Sequence, residues 1–77
     1  MKTETARLVD CHNENCPMPL VRTREAILEA GVGDIITVVG DHPQSFEEIP
    51  MALEVQEMEI LERRMDAGEW LITFIVS

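Results

Sequence analysis

The residues of this chain best suited to chemistry are Cys16-Pro17-Met18-Pro19. Proline is favoured at the first helical position, because its φ is already helical and its missing N–H would be unpaired there. Pro19 still falls within that first turn, where backbone N–H groups have no intrahelical partner. Cys16 therefore reads as the N-cap and Pro17 as the first helical residue. Free N–H groups and the positive end of the helix dipole stabilise an anion at this point. A thiolate is such an anion. A free cysteine titrates at about 8.5, and a helix N-terminus lowers that value. The expected chemistry is that of a reactive, partly exposed thiol held by a rigid turn. The plain alternative is a buried cysteine that happens to precede a helix.

Three further residues are candidate accessories. Cys11 lies close enough in sequence to suggest a redox pair with Cys16, and His12 between them would complete a partial metal set. Neither spacing fits well, because zinc sites show paired ligands in two sets. No metal and no cofactor is expected, and Cys11 reads more simply as a strand-end residue packed near the core. His12 offers proton transfer near Cys16, with an exposed loop residue as the plain alternative. Arg24 falls within the apolar sector of the first helix. It either snorkels its head to the edge or points along the helix toward an anionic ligand. No glycine-rich phosphate loop, Ser/His/Asp set or paired-carboxylate motif is visible.

Composition narrows the function classes. The chain has 77 residues and a formal net charge of −9. It reads as one domain spanning residues 1–77, with a small core, since such a domain buries only about 60% of its unfolded surface. The acidic balance argues against tight nucleic-acid binding, which needs Lys and Arg, and against an anionic membrane surface. It favours protein partners with basic surfaces. Met1-Lys2-Thr3-Glu4-Thr5 has no apolar h-region, and the apolar run Trp70 to Val76 is too short to span a bilayer. A cytoplasmic location is expected, where two cysteines stay reduced.

The elements that must position Cys16 follow from periodicity. Ala6 to Cys11 reads as a strand with imperfect alternation. His12-Asn13-Glu14-Asn15 is a polar turn in which asparagine tolerates the left-handed conformation. A helix from Pro17 to about Ala30 buries Leu20, Thr23, Ile27 and Ala30, widened by Val21 and Leu28. Gly31 serves as its C′ residue. Asp34 to Gly40 is a nearly continuous apolar strand, expected to be covered on more than one side. Asp41 is the expected N-cap of a second helix that buries Phe46, Ile49 and Leu53. Pro50 should kink or break it, leaving a short run from Met51 to about Gln56. Met58 to Met65 and Trp70 to Val76 form an antiparallel hairpin around Asp66-Ala67-Gly68-Glu69.

The order strand, helix, strand, helix, strand, strand implies one right-handed βαβ unit. The expected fold class is α+β: a two-layer α/β sandwich with a four-stranded mixed sheet and both helices on one face. Cys16 then lies at the sheet edge where open α/β sheets place ligands.

Val9-Asp10, a short loop, Cys16-Pro17-Met18-Pro19-Leu20 and a helix resemble the TusA-like sulfur-carrier family, also called SirA-like. Asp41-His42-Pro43 through Ile49-Pro50 resembles the family's Asp-x-Pro…Ile-Pro segment, so the likeness covers nearly the whole chain. The resemblance implies the βαβαββ sandwich and a persulfide carried on Cys16 between donor and acceptor proteins, a sulfurtransferase among them. A YeeD-like branch, beside a membrane thiosulfate transporter and acting on thiosulfate, is the alternative. A thiol-redox or regulatory binding module is a further one. The sequence departs from the family in its turn, which lacks the usual glycine and the basic residue just before the cysteine.

Overall fold

A computed structural model describes residues 6–14 and 18–77, with side chains from residue 7 onward. The elements are β1 (Ala6–Cys11), α1 (Met18–Glu29), β2 (Ile35–Gly40), α2 (Pro43–Val55), β3 (Glu59–Asp66) and β4 (Glu69–Ile75). They form a four-stranded sheet in the order β1-β2-β4-β3. β1 and β2 are parallel, with Cys11 opposite Gly40, while β4 runs antiparallel to both of its neighbours. This is the expected α+β architecture.

Period-two side-chain alternation sorts the sheet into two faces. Cys11, Ile36, Val38, Ile72 and Phe74 are fully buried on one face, together with Ile49 and Leu53 of α2 and Ala26 of α1. α1 packs on β1 and β2, α2 packs on β4 and β3, and the helices touch each other. Both helices therefore cover the same face. The opposite face carries Leu8, Asp10, Val39, Leu71 and the Thr37–Thr73 hydroxyl pair at 3.0 Å, exposed or half-buried. β2 is thus buried on alternate residues only, not on both sides as its apolar run suggests.

Local details depart from expectation in four places. Val21 and Leu28 are exposed rather than buried, because the helix turns Pro19, Thr23 and Ala26 to the sheet. The Thr23 hydroxyl satisfies itself on the Pro19 carbonyl at 2.8 Å, which lets a polar side chain be buried there. Gly31 does not take the left-handed C′ conformation; its N–H donates to Asp34 Oδ2 at 2.9 Å, and Gly33 carries the positive φ of 95°. His42, not Asp41, is the N-cap of α2, with extended backbone and Pro43 opening the helix. Finally, α2 runs unbroken through Pro50. The missing N–H and ring clash cost about 3 kcal/mol, but Ile49 and Leu53 are buried in the core cluster and Pro50 is itself buried. That burial holds the helix together.

The hairpin forms as expected, with Ala67 and Gly68 both at positive φ (54° and 81°), the conformation a two-residue type I′ turn requires. The register of β3 against β4 shifts between Ile60 and Glu62. At the other end of β4, Trp70 is buried, and its indole N–H donates to the His42 carbonyl at 2.8 Å. A Cβ on Gly40 would lie 2.6 Å from that ring. Glycine is therefore the residue that lets β2 and Trp70 pack. The β1–α1 loop and the head of α2 meet at this end of the sheet.

Candidate functional site

Cys16 and Pro17 lie outside the described residues. Glu14 and Met18, which bracket them, are both described, and α1 begins at Met18. Pro19 is buried in the first turn of α1.

Of the residues that follow β1, His12, Asn13 and Glu14 are each tied down. Cys11, His12, Asn13 and Glu14 form a turn closed by a 3.2 Å bond from Glu14 N–H to the Cys11 carbonyl. His12 donates its backbone N–H to Asp10 Oδ1 at 3.0 Å, and its Nδ1 lies 2.6 Å from the same oxygen. Asn13 takes φ 66°, as asparagine tolerates, and donates its N–H to the Asp41 carboxylate at 3.1 and 3.3 Å. Glu14 accepts from Arg22 Nε at 2.6 and 2.8 Å, joining the loop to the second turn of α1.

These contacts set the local electrostatics. The hydrogen bonds from His12, backbone first, hold the Asp10 carboxyl below the usual carboxylate range. The bond to Asp10 in turn raises His12 above its ordinary value. The Glu14 hydrogen bond raises Arg22 further. Cys11 behaves in the opposite way. It is fully buried, and desolvation, followed by the charge of Glu14, pushes its thiol up to about 11. A thiol in that state is protonated at neutral pH and is a poor nucleophile.

On the open sheet face beside His12 is a hollow of about 330 Å³, lined by His12, Val39, Arg64, Asp66, Glu69 and Leu71. His12 Nε2 reaches Glu69 Oε1 at 3.6 Å across it. Arg24 is not part of this cluster. It is exposed further along α1, beside Ile27, Leu28 and Gln56. Among the described residues, no group of three or more His, Cys, Asp or Glu side chains could hold a metal ion. Among them also, no helix is long and apolar enough to cross a membrane.

Sequence reasoning missed Asp10, Glu14, Arg22, Asp41 and Glu69 as anchors of this loop. Asp41 offered a helix-cap signal instead. Its real partner, Asn13, comes beside it only because β1 and β2 pair in parallel and end together, Cys11 opposite Gly40. The other anchors carry no spacing rule that sequence alone could use.

The sequence and the fold have known relatives. The sequence model of the family described as "Sulfurtransferase TusA" matches residues 7–76. A candidate sulfur carrier protein of Archaeoglobus fulgidus is 37% identical over 70 residues, covering 90% of this chain and 88% of the relative. One from Thermotoga maritima is 33% identical over 72 residues, covering 92% and 91%. Among solved structures, the SirA-like protein of Desulfitobacterium hafniense superposes with a TM-score of 0.81 at 25% identity, over 92% of this chain and 97% of that one. With the family's pattern running through nearly all of its length and the family's fold beneath it, this chain belongs to the TusA family.

Proposed function

We propose that this protein is a sulfur carrier that holds one sulfane sulfur as a persulfide on Cys16 and passes it to an acceptor protein. The observation that carries this reading is the Cys16-Pro17-Met18-Pro19 motif, set between the end of β1 and the start of α1 in a TusA-family chain. A thiolate at a helix start is stabilised by the helix dipole and free N–H groups. It attacks the outer sulfur of a donor persulfide; the S–S bond breaks, the donor leaves as its thiolate, and Cys16 becomes Cys16–S–SH. With thiosulfate as donor, the same attack on the sulfane sulfur expels sulfite. Cys11 takes no part, because its thiol is buried and protonated. Pro17 and Pro19 stiffen the turn and do no chemistry. The net charge of −9 favours donors and acceptors with basic docking surfaces, whose approach slows as salt screens the field.

Incubation with a persulfidated sulfurtransferase or with thiosulfate should add about 32 Da to the intact protein, the mass of one sulfur gained by thiolate exchange. Reductant should remove it. Cys16→Ser should abolish it, and Cys11→Ala should leave it in place. A Cys16→Ser protein that loads as well as the parent would sink the carrier reading. A folded Cys11→Ala protein that cannot load would instead revive a two-thiol redox reading.

A further inference from the structure

We infer that the open face of the sheet is a docking surface for an amphipathic helix of a partner protein, one whose apolar stripe is flanked by lysine and arginine. This role goes beyond sulfur carriage and does not depend on which thiol reacts. The strand registers map the face row by row. Ile35 of β2 lies beside Ile75 of β4, Thr37 beside Thr73, and Val39 beside Leu71. Next to these rows β3 sets Glu59, Glu62 and Arg64, while Leu8 and Asp10 of β1 close the other side. The middle of the face is therefore apolar at both ends, with a threonine pair between. The two hydroxyls already bond each other at 3.0 Å, which lowers the cost of covering them. Among the described residues, neither helix lies over this face; both pack on the other one. Yet residues 35–39 and 70–75 carry no charged side chain. Such nearly continuous apolar runs are the pattern of strands covered on both sides.

Backbone chemistry selects a helix. The N–H and C=O groups of β2 and β4 point within the sheet to neighbouring strands, so the face offers them to nothing laid over it. An extended segment there would leave its own backbone groups unpaired, whereas a helix satisfies them internally. The dimensions fit. The seven residues of β4 extend about 23 Å, as do about 15 helical residues. Charge selects the partner. Glu59, Glu62, Asp66 and Glu69 rim the face along β3 and the start of β4, with Asp10 at the β1 side. Among the described residues, the basic groups of this face already lie beside carboxylates. His12 Nδ1 is 2.6 Å from Asp10 Oδ1, and Arg64 Nε is 3.3 Å from Glu62 Oε2. The excess of carboxylates attracts lysine and arginine. It repels a second copy, because a two-fold dimer would set this acidic rim against itself.

The probe is a synthetic helical peptide of about 15 residues, with leucines on one face and lysines beside them, titrated into the isotope-labelled full chain. NMR shifts should fall on Thr37, Val39, Leu71 and Thr73 and leave the outward sides of α1 and α2 unmoved. A peptide of the same composition in scrambled order, without the leucine stripe, should bind several-fold more weakly. Glu59→Lys with Asp66→Lys should weaken binding about tenfold relative to Glu47→Lys with Glu54→Lys. The latter pair are exposed residues of α2 and change the net charge by the same amount. Shifts confined to the helix layer overturn the inference. So does equal binding of the scrambled peptide, or an equal effect of the two charge pairs. A dimer in sedimentation whose dilution moves the β2 and β4 amides also overturns it, by making a second copy the occupant.

Discussion

Cys11 and His12 are neighbours in the chain and belong to opposite faces of the sheet. Cys11 turns toward the helices, is fully buried, and has its thiol pushed up to about 11 by desolvation. The His12 side chain is 34% exposed, lies against Asp10 on the open face, and is held above its ordinary value. One face is a dry layer of Ile36, Val38, Ile72 and Phe74 under two helices. The other is a thin mixture of apolar floor and charged rim, and neither helix among the described residues lies over it. Stability is concentrated on the first face, and groups that can change charge on the second. A thiol at position 11 is therefore part of the core, while the side chain one residue later lies on the open side of the sheet.

That division can be broken from either side. The largest loss should come from Phe74→Ala, at the centre of the covered face. Removing a fully buried aromatic costs about 3–5 kcal/mol, a large share of the roughly 5–15 kcal/mol that holds a small domain together. Urea unfolding should show a lower midpoint with an unchanged slope. A midpoint equal to that of the parent would mean that this face is not the main store of stability.

An intermediate loss should come from Gly40→Ala. The added Cβ would sit 2.6 Å from the Trp70 ring, and overpacking of this kind costs about 1–3 kcal/mol. Trp70 is the single tryptophan, so its fluorescence reports the displacement directly. An unshifted emission spectrum with full stability would show that the ring has room to move.

The smallest effect belongs to the open face and depends on pH. His12 is raised in the folded protein, so the stability it contributes is complete below its ordinary value of 6.5 and is lost as pH rises through the folded value. Asp10 is lowered from 3.8, so its share is present above that value and fades as pH falls through its folded value. The difference between the parent and His12→Gln should therefore be greatest between about pH 4 and 6.5, near the ordinary carboxylate and imidazole values. It should close at alkaline pH. Denaturation across this range checks it, and a gap that widens with rising pH would contradict the ion-pair assignment.

Much of the fold was legible because its signals are local. The alternation of Trp70, Ile72, Phe74 and Val76 marks a half-buried strand, and Ala67-Gly68 marks the turn before it. The misreadings occurred where a local preference met packing. Pro50 argues for a broken helix, yet burial of its neighbours keeps α2 continuous. Val21 and Leu28 match the helical period but fall beyond the sector that the sheet can cover. Asp41 reads as a cap because it precedes Pro43, and instead accepts the N–H of a residue in another loop.

By itself the sequence determined the order of elements, the two-layer arrangement and the choice of Cys16 as the candidate thiol. Each of these follows from residues close together in the chain: a periodicity, a turn, a cysteine set between an asparagine and a proline. Only the tertiary structure decided which groups surround the loop leading to that cysteine. Asp10 meets Glu69 through His12 because β4 lies beside β2, and β2 beside β1. Asp41 meets Asn13 because the two parallel strands end together. Charge acts through space and falls off with distance, and chain separation does not record that distance.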